Sequence, residues 1–149
     1  MAYLIDTSVL GRLANIADPQ FPTADRAVTE LRQRGEVLHI TPQNLVEFRS
    51  AATRPQAMNG LGLSAAQALA RATIFEAAFK LLPETDTIFP AWKALVDGLG
   101  IIGKQVHDAR LVAVCHVNKV THLLTFNVGH FARLAGFGPG IIVVDPSTV

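Results

Sequence analysis

With 149 residues and 16.0 kDa, the chain has the length of one domain, because a hydrophobic core of this size buries most of what the unfolded chain exposes. Half of the residues are hydrophobic, 17% are charged and the mean hydropathy is +0.32, which excludes a disordered tail and points to a partner covering part of an apolar surface. Thirteen Lys plus Arg against twelve Asp plus Glu leave +1, so no global field draws the chain towards nucleic acid or a membrane, and any polyanion site must be local.

In chain order, residues 3–5 are a short apolar run ending at Asp6, with Thr7 or Ser8 placed to cap a helix beginning near Val9. Thr23 is expected to cap a helix running to Arg34 and stopping at Gly35, before a second strand at 37–40. Thr41, followed by Pro42 at a first helical position, opens the helix that carries Glu47. Residues 54–62 are rich in Pro and Gly and form a loop, after which Ser64 caps a long helix through Phe79. In that helix Ala65, Leu69, Ala72, Phe75 and Phe79 recur at helical spacing and form a core stripe. A strand at 80–82 precedes a helical pattern at Trp92, Leu95, Val96 and Leu99, and the helix of 106–115 lies before strands at 122–125 and 141–144. Short continuous apolar runs alternating with helices predict an α/β fold, a three-layer α/β/α arrangement on a central parallel sheet, in one domain spanning 1–149.

Cys115 is the only cysteine; it cannot form an internal disulfide, and no Cys/His cluster has zinc spacing, so a reducing, cytoplasmic setting is expected. The first residues carry no basic segment and meet a carboxylate at Asp6, which argues against a signal peptide. No apolar run approaches the roughly 20 residues that span a bilayer.

Three carboxylates sit in apolar surroundings. Asp6 ends the first strand, and in open parallel sheets ligands gather beyond the carboxyl ends of strands. Asp108 shares helical spacing with Leu111, Val112 and Cys115, so it is expected on the face turned towards the sheet, where a carboxylate is expensive unless paired. Glu47 lies in an apolar stretch with Asn44 one turn earlier on its own side; alone it reads equally well as half of an exposed ion pair with Arg49 or Arg54. Like charges brought together repel, so a cluster of such groups is tolerable around a cation, and an all-oxygen set selects Mg²⁺ or Mn²⁺.

Four segments, Asp6-Thr7-Ser8-Val9-Leu10, Asn44-Leu45-Val46-Glu47-Phe48, Gly103-Lys104-Gln105-Val106-His107-Asp108-Ala109 and Leu123-Leu124-Thr125-Phe126-Asn127, together resemble a PIN domain. The likeness spans nearly the whole chain, and the length is similar to that of VapC-type toxins of toxin–antitoxin pairs. The resemblance implies a metal-dependent endoribonuclease, a homodimer and a VapB-like antitoxin that blocks the groove, with Asp6, Glu47 and Asp108 as the catalytic and metal-holding acids. Asn127 stands where relatives often carry a fourth acid and His130 where many place another; a neutral amide offers an oxygen but no charge, so the number of ions is left open. The expected chemistry is hydrolysis of an RNA phosphodiester, with a divalent ion on Asp6 and Asp108, held directly or through waters oriented by Glu47. Thr7, Ser8 and Thr125 are candidate hydroxyl donors to the phosphate and Asn127 a supporting residue, while Lys104, Arg12, Arg49 and Arg110 adjoin the motifs and are candidate RNA contacts.

Two readings compete. The run Gly98–Lys104 has phosphate-loop glycine spacing, but a helical pattern rather than a strand precedes it, and Gln105 follows Lys104 where a Ser or Thr is required. An inactive PIN-like RNA-binding or interaction module is the stronger alternative; metal affinity separates it from an enzyme.

Overall fold

The computed structural model describes residues 1–149. Five strands, β1 (Ala2–Ile5), β2 (Val37–Ile40), β3 (Lys80–Leu81), β4 (His122–Leu124) and β5 (Ile142–Val144), pair in the order β3-β2-β1-β4-β5, and every pairing is parallel. Seven helices connect them: α1 (Thr7–Leu13), α2 (Phe21–Gln33), α3 (Pro42–Thr53), α4 (Ala65–Ala78), α5 (Ile88–Leu99), α6 (Gln105–Val117) and α7 (Val128–Ala135).

Strand alternation divides the core into two layers. Tyr3 and Ile5 of β1, with Leu38 and Ile40 of β2 and Leu124 of β4, face apolar residues of α1, α2, α3 and α4. Leu4 of β1 and Leu123 of β4 face the other way, onto α5, α6 and α7. Both faces are therefore dry, as an all-parallel sheet requires. This is the three-layer architecture expected from the alternation of runs.

The strand order has a consequence for function. From β1 the chain adds β2 and β3 on one side, and then crosses to place β4 and β5 on the other. The two halves diverge between β1 and β4, and a cleft opens at the carboxyl ends of those strands. Asp6 and Thr125 are the residues that immediately follow β1 and β4 there, stitched together by the Asp6 N–H donating to the Leu124 carbonyl at 3.0 Å.

Local expectations hold at Thr41 and Ser64, each of which closes a capping box with the residue at the third helical position. Others shift. Asp6, rather than Thr7 or Ser8, is the N-cap of α1, and α2 begins at Phe21 with Pro22 in its first turn, ahead of Thr23. The stripe on α4 also turns: Ala68, Ala72, Phe75 and the following Phe79 are buried, whereas Ala65 and Leu69 face solvent. The 54–62 loop contains a 3₁₀ turn at Gln56–Met58. The helix α5 ends at a left-handed glycine, Gly100, with φ of 60°. No helix is long and apolar enough to cross a membrane.

Candidate active site

Asp6 is the most enclosed of the three acids, 5% exposed. Its Oδ2 accepts the Ser8 hydroxyl at 2.6 Å, the Thr125 hydroxyl at 2.7 Å and the Ser8 backbone N–H at 3.3 Å. The backbone N–H groups of Phe126 and Asn127 donate into those hydroxyl oxygens at 3.2 and 3.0 Å, so the hydroxyl protons are left to point at the carboxylate. All of these bonds converge on Oδ2, and Oδ1 receives none from the protein.

Glu47 is fixed by a different set. Thr7 donates its hydroxyl to Oε2 at 2.8 Å and Gln43 donates its amide to Oε1 at 2.7 Å. Asn44 donates to Thr7 Oγ1 at 3.2 Å and closes the capping box with buried Thr41, so the start of α3 and the start of α1 are one hydrogen-bonded unit. The ion pair with Arg49 or Arg54 that the spacing allowed does not form.

Asp108 lies in the first turn of α6, half-buried, with no hydrogen-bond partner in the protein. Burial, then the Asp6 charge and, more weakly, Glu47 push its carboxyl up from 3.8 to about 6, while His130 and His107 pull it down. The cause is physical proximity: three like charges and two imidazoles feel one another across a poorly solvated space. Helical phasing explains less than expected, since α6 from Leu111 to Cys115 is buried all round.

The three acids line one cavity of ≈460 Å³ together with Thr7, Ser8 and Asn127. They do not form a preassembled cage, as no three His, Cys, Asp or Glu side chains close on a single metal position. Glu47 is tied to Thr7 and Gln43 on its own side, which suits it to water-mediated rather than direct ligation. The donor chemistry fits a hard divalent ion: all-oxygen, anionic, with Asp6 Oδ1 and both Asp108 oxygens free of protein partners.

The supporting hydroxyls take up different work from the phosphate contact expected of them, because Thr7 donates to Glu47, and Ser8 and Thr125 donate to Asp6. Of the candidate cations, only Arg12 lines the cavity. Its guanidinium is held by Gln20 Oε1 at 3.0 Å and the Ser8 carbonyl at 3.3 Å, and lies over Phe126 at 5.4 Å. Arg110 instead forms a forked pair with Glu84, at 2.6 and 3.3 Å, and steadies Gln43 at 3.2 Å. Lys104 and Arg49 lie outside the cavity lining. Gln43 is a site residue that sequence reasoning does not single out, although a signal exists: it precedes Glu47 by one helical turn and shares its face. Arg54, two turns after Glu47, lines the far end of the cavity, where its spacing had suggested only an ion-pair partner.

The sequence matches the PIN domain family over residues 3–136. No curated protein matches the chain. Among solved structures, the chain is similar to VapBC2 from Rickettsia felis bound to a DNA fragment from their promoter, at 16% identity and a TM-score of 0.72 over 97% of this chain and 98% of that one. VapBC-1 from nontypeable Haemophilus influenzae is similar at 15% identity and 0.71 over 99% of both chains. VapC20 of Mycobacterium tuberculosis, a sarcin-ricin loop cleaving toxin, is similar at 21% identity and 0.63 over 91% of this chain and 96% of that one. At these identities the likeness is one of fold.

Proposed function

The chain belongs to the PIN domain family, and from that premise we propose that it is a divalent-metal-dependent endoribonuclease of the VapC toxin type, acting on single-stranded or loop RNA. The observation that carries this reading is the convergence of Asp6, Glu47 and Asp108, from the end of β1, the middle of α3 and the first turn of α6, on one cavity at the point where the two halves of the sheet diverge.

Asp6 Oδ1 and Asp108 are the oxygens that would hold Mg²⁺, or Mn²⁺, with Glu47 reaching it through water. When bound, the ion supplies Lewis-acid polarisation and offsets the charge of the phosphate in the transition state. The remaining steps belong to the chain. Ser8 and Thr125 lock the Asp6 carboxylate by its Oδ2 so that Oδ1 faces the cavity in one orientation. Thr7 and Gln43 do the same for Glu47, and Arg110 orients Gln43. Arg12, pinned by Gln20 and stacked on Phe126, presents positive charge along the groove to the RNA backbone. Asn127 adds a neutral amide at the rim. Lys104 and Arg49 are left as outlying contacts for a longer strand.

VapBC and FitAB assemblies among the similar structures support a VapB-like antitoxin as the partner in a cytoplasmic toxin–antitoxin pair. Exposed apolar side chains such as Val46, Leu69, Ile74 and Phe89 offer surface both to it and to a second copy in a homodimer.

Asp6→Asn and Asp108→Asn are expected to abolish Mg²⁺-dependent RNA cleavage while leaving the circular dichroism spectrum intact. Full cleavage by both variants, or cleavage undiminished in excess EDTA, overturns the assignment.

A further inference from the structure

The cavity is polarised. The acids occupy one end; at the other, Arg54 follows the last turn of α3, and Gly11 of α1 forms part of the lining between them. Glu47 and Ala51 of α3 and its C-cap Arg54 all line the cavity, so the Arg54 backbone lies seven residues, about 10 Å along the helix axis, beyond that of Glu47.

Two features of this lining are not required by the fold. Gly11 sits inside a helix with an ordinary helical φ, where glycine destabilises relative to alanine, and a Cβ built there would meet no atom within 4 Å. Packing does not require glycine; what its missing side chain leaves clear is the groove. Arg54 has its backbone held firmly: the Gly62 N–H donates to its carbonyl at 2.8 Å, and Gly60 approaches so closely that a Cβ would lie 2.1 Å from that oxygen. Its guanidinium nevertheless makes no hydrogen bond or ion pair with the protein, although Asp18 lines the same cavity.

Resting on the nuclease reading, we infer that Gly11 and Arg54 define the path of the substrate strand: its backbone passes closely over Gly11, and Arg54 takes a phosphate flanking the scissile one. A single strand fits this arrangement, because a close backbone approach beside isolated arginines tracks phosphates rather than reading bases.

The test is binding of a short mixed-sequence single-stranded oligoribonucleotide to the full chain with Ca²⁺ in place of Mg²⁺, with steady-state cleavage in Mg²⁺ alongside. Arg54→Gln should weaken binding by roughly tenfold, the worth of one charge-assisted hydrogen bond. KM should rise more than kcat falls, and the slope of log Kd against log salt should flatten by about 0.7, the increment for one neutralised phosphate on a single strand. Arg54→Lys should restore the slope. Gly11→Ala should raise the melting temperature yet weaken RNA binding, a combination that a purely structural role would not produce. If the unaltered chain cleaves RNA while both variants keep Kd and KM within about twofold, the path is wrong and the nuclease reading stands. If the unaltered chain neither binds nor cleaves RNA, both fall.

Discussion

A half-buried carboxylate facing two others gives up its proton reluctantly, and Asp108 is that residue. Its folded value of about 6 lies above the ordinary 3.8, so between those limits the folded state binds more protons than the unfolded one, and stability falls as pH rises. The penalty is absent below about pH 4 and complete above about pH 6. In EDTA, Asp108→Asn should therefore melt higher than the unaltered protein at neutral pH, and the two melting curves should converge by about pH 4. A constant difference across that range would mean that Asp108 does not feel its neighbours. The same physics links metal to pH: with protons competing for Asp108, ion binding should weaken as pH drops through 6. At this scale, identities were legible in the sequence and contacts were not. Asp6, Glu47 and Asp108 stand out as acids in apolar stretches, yet nothing local says that Ser8 and Thr125, 117 residues apart, donate to the same oxygen of Asp6.

Elements carry the site only as well as their ends are fixed. Thr41 is fully buried, caps α3, and bonds to Asn44, which in turn bonds to Thr7 and so to Glu47. Thr41→Val keeps the shape and removes the hydroxyl, leaving the Asn44 N–H without its acceptor in a dry site. We expect a loss of about 1–3 kcal/mol in urea unfolding, with a larger relative loss of cleavage than a core substitution of equal stability cost, because Glu47 loses its alignment. Equal losses would place Thr41 in stability alone. Caps of this kind were readable because they depend on neighbours within a turn. The start of α2 was not: Pro22 suits the first turn, so the helix opens at Phe21, ahead of the Thr23 signal. The stripe on α4 slipped because a helix so rich in Ala offers several apolar faces, and the position of Phe48, edge-on to Phe75 with centroids 5.0 Å apart, selects one.

For the molecule as a whole, the two apolar layers close on either side of the sheet without any contribution from the three acids. Removal of divalent ions should abolish cleavage and leave the fold standing: melting in EDTA remains cooperative, and saturating Mg²⁺ raises the midpoint as expected for a ligand binding only the folded state. Unfolding by chelation alone would show that the ion is structural. Alternation of short apolar runs with capped helices determined from sequence alone that this is a parallel α/β chain, because burial on both faces writes itself into composition residue by residue. The four motif segments likewise announced the family and the residues to test. What only the tertiary structure decided is the strand order, and with it the site: nothing local encodes whether β4 pairs with β1 or with β3, since that choice is made by crossover helices competing for the two faces of the sheet. Pairing β4 with β1 puts Asp6 beside Thr125 at the divergence point, brings α3 and α6 to the same edge, and leaves Arg54 and Gly11 along the groove that results.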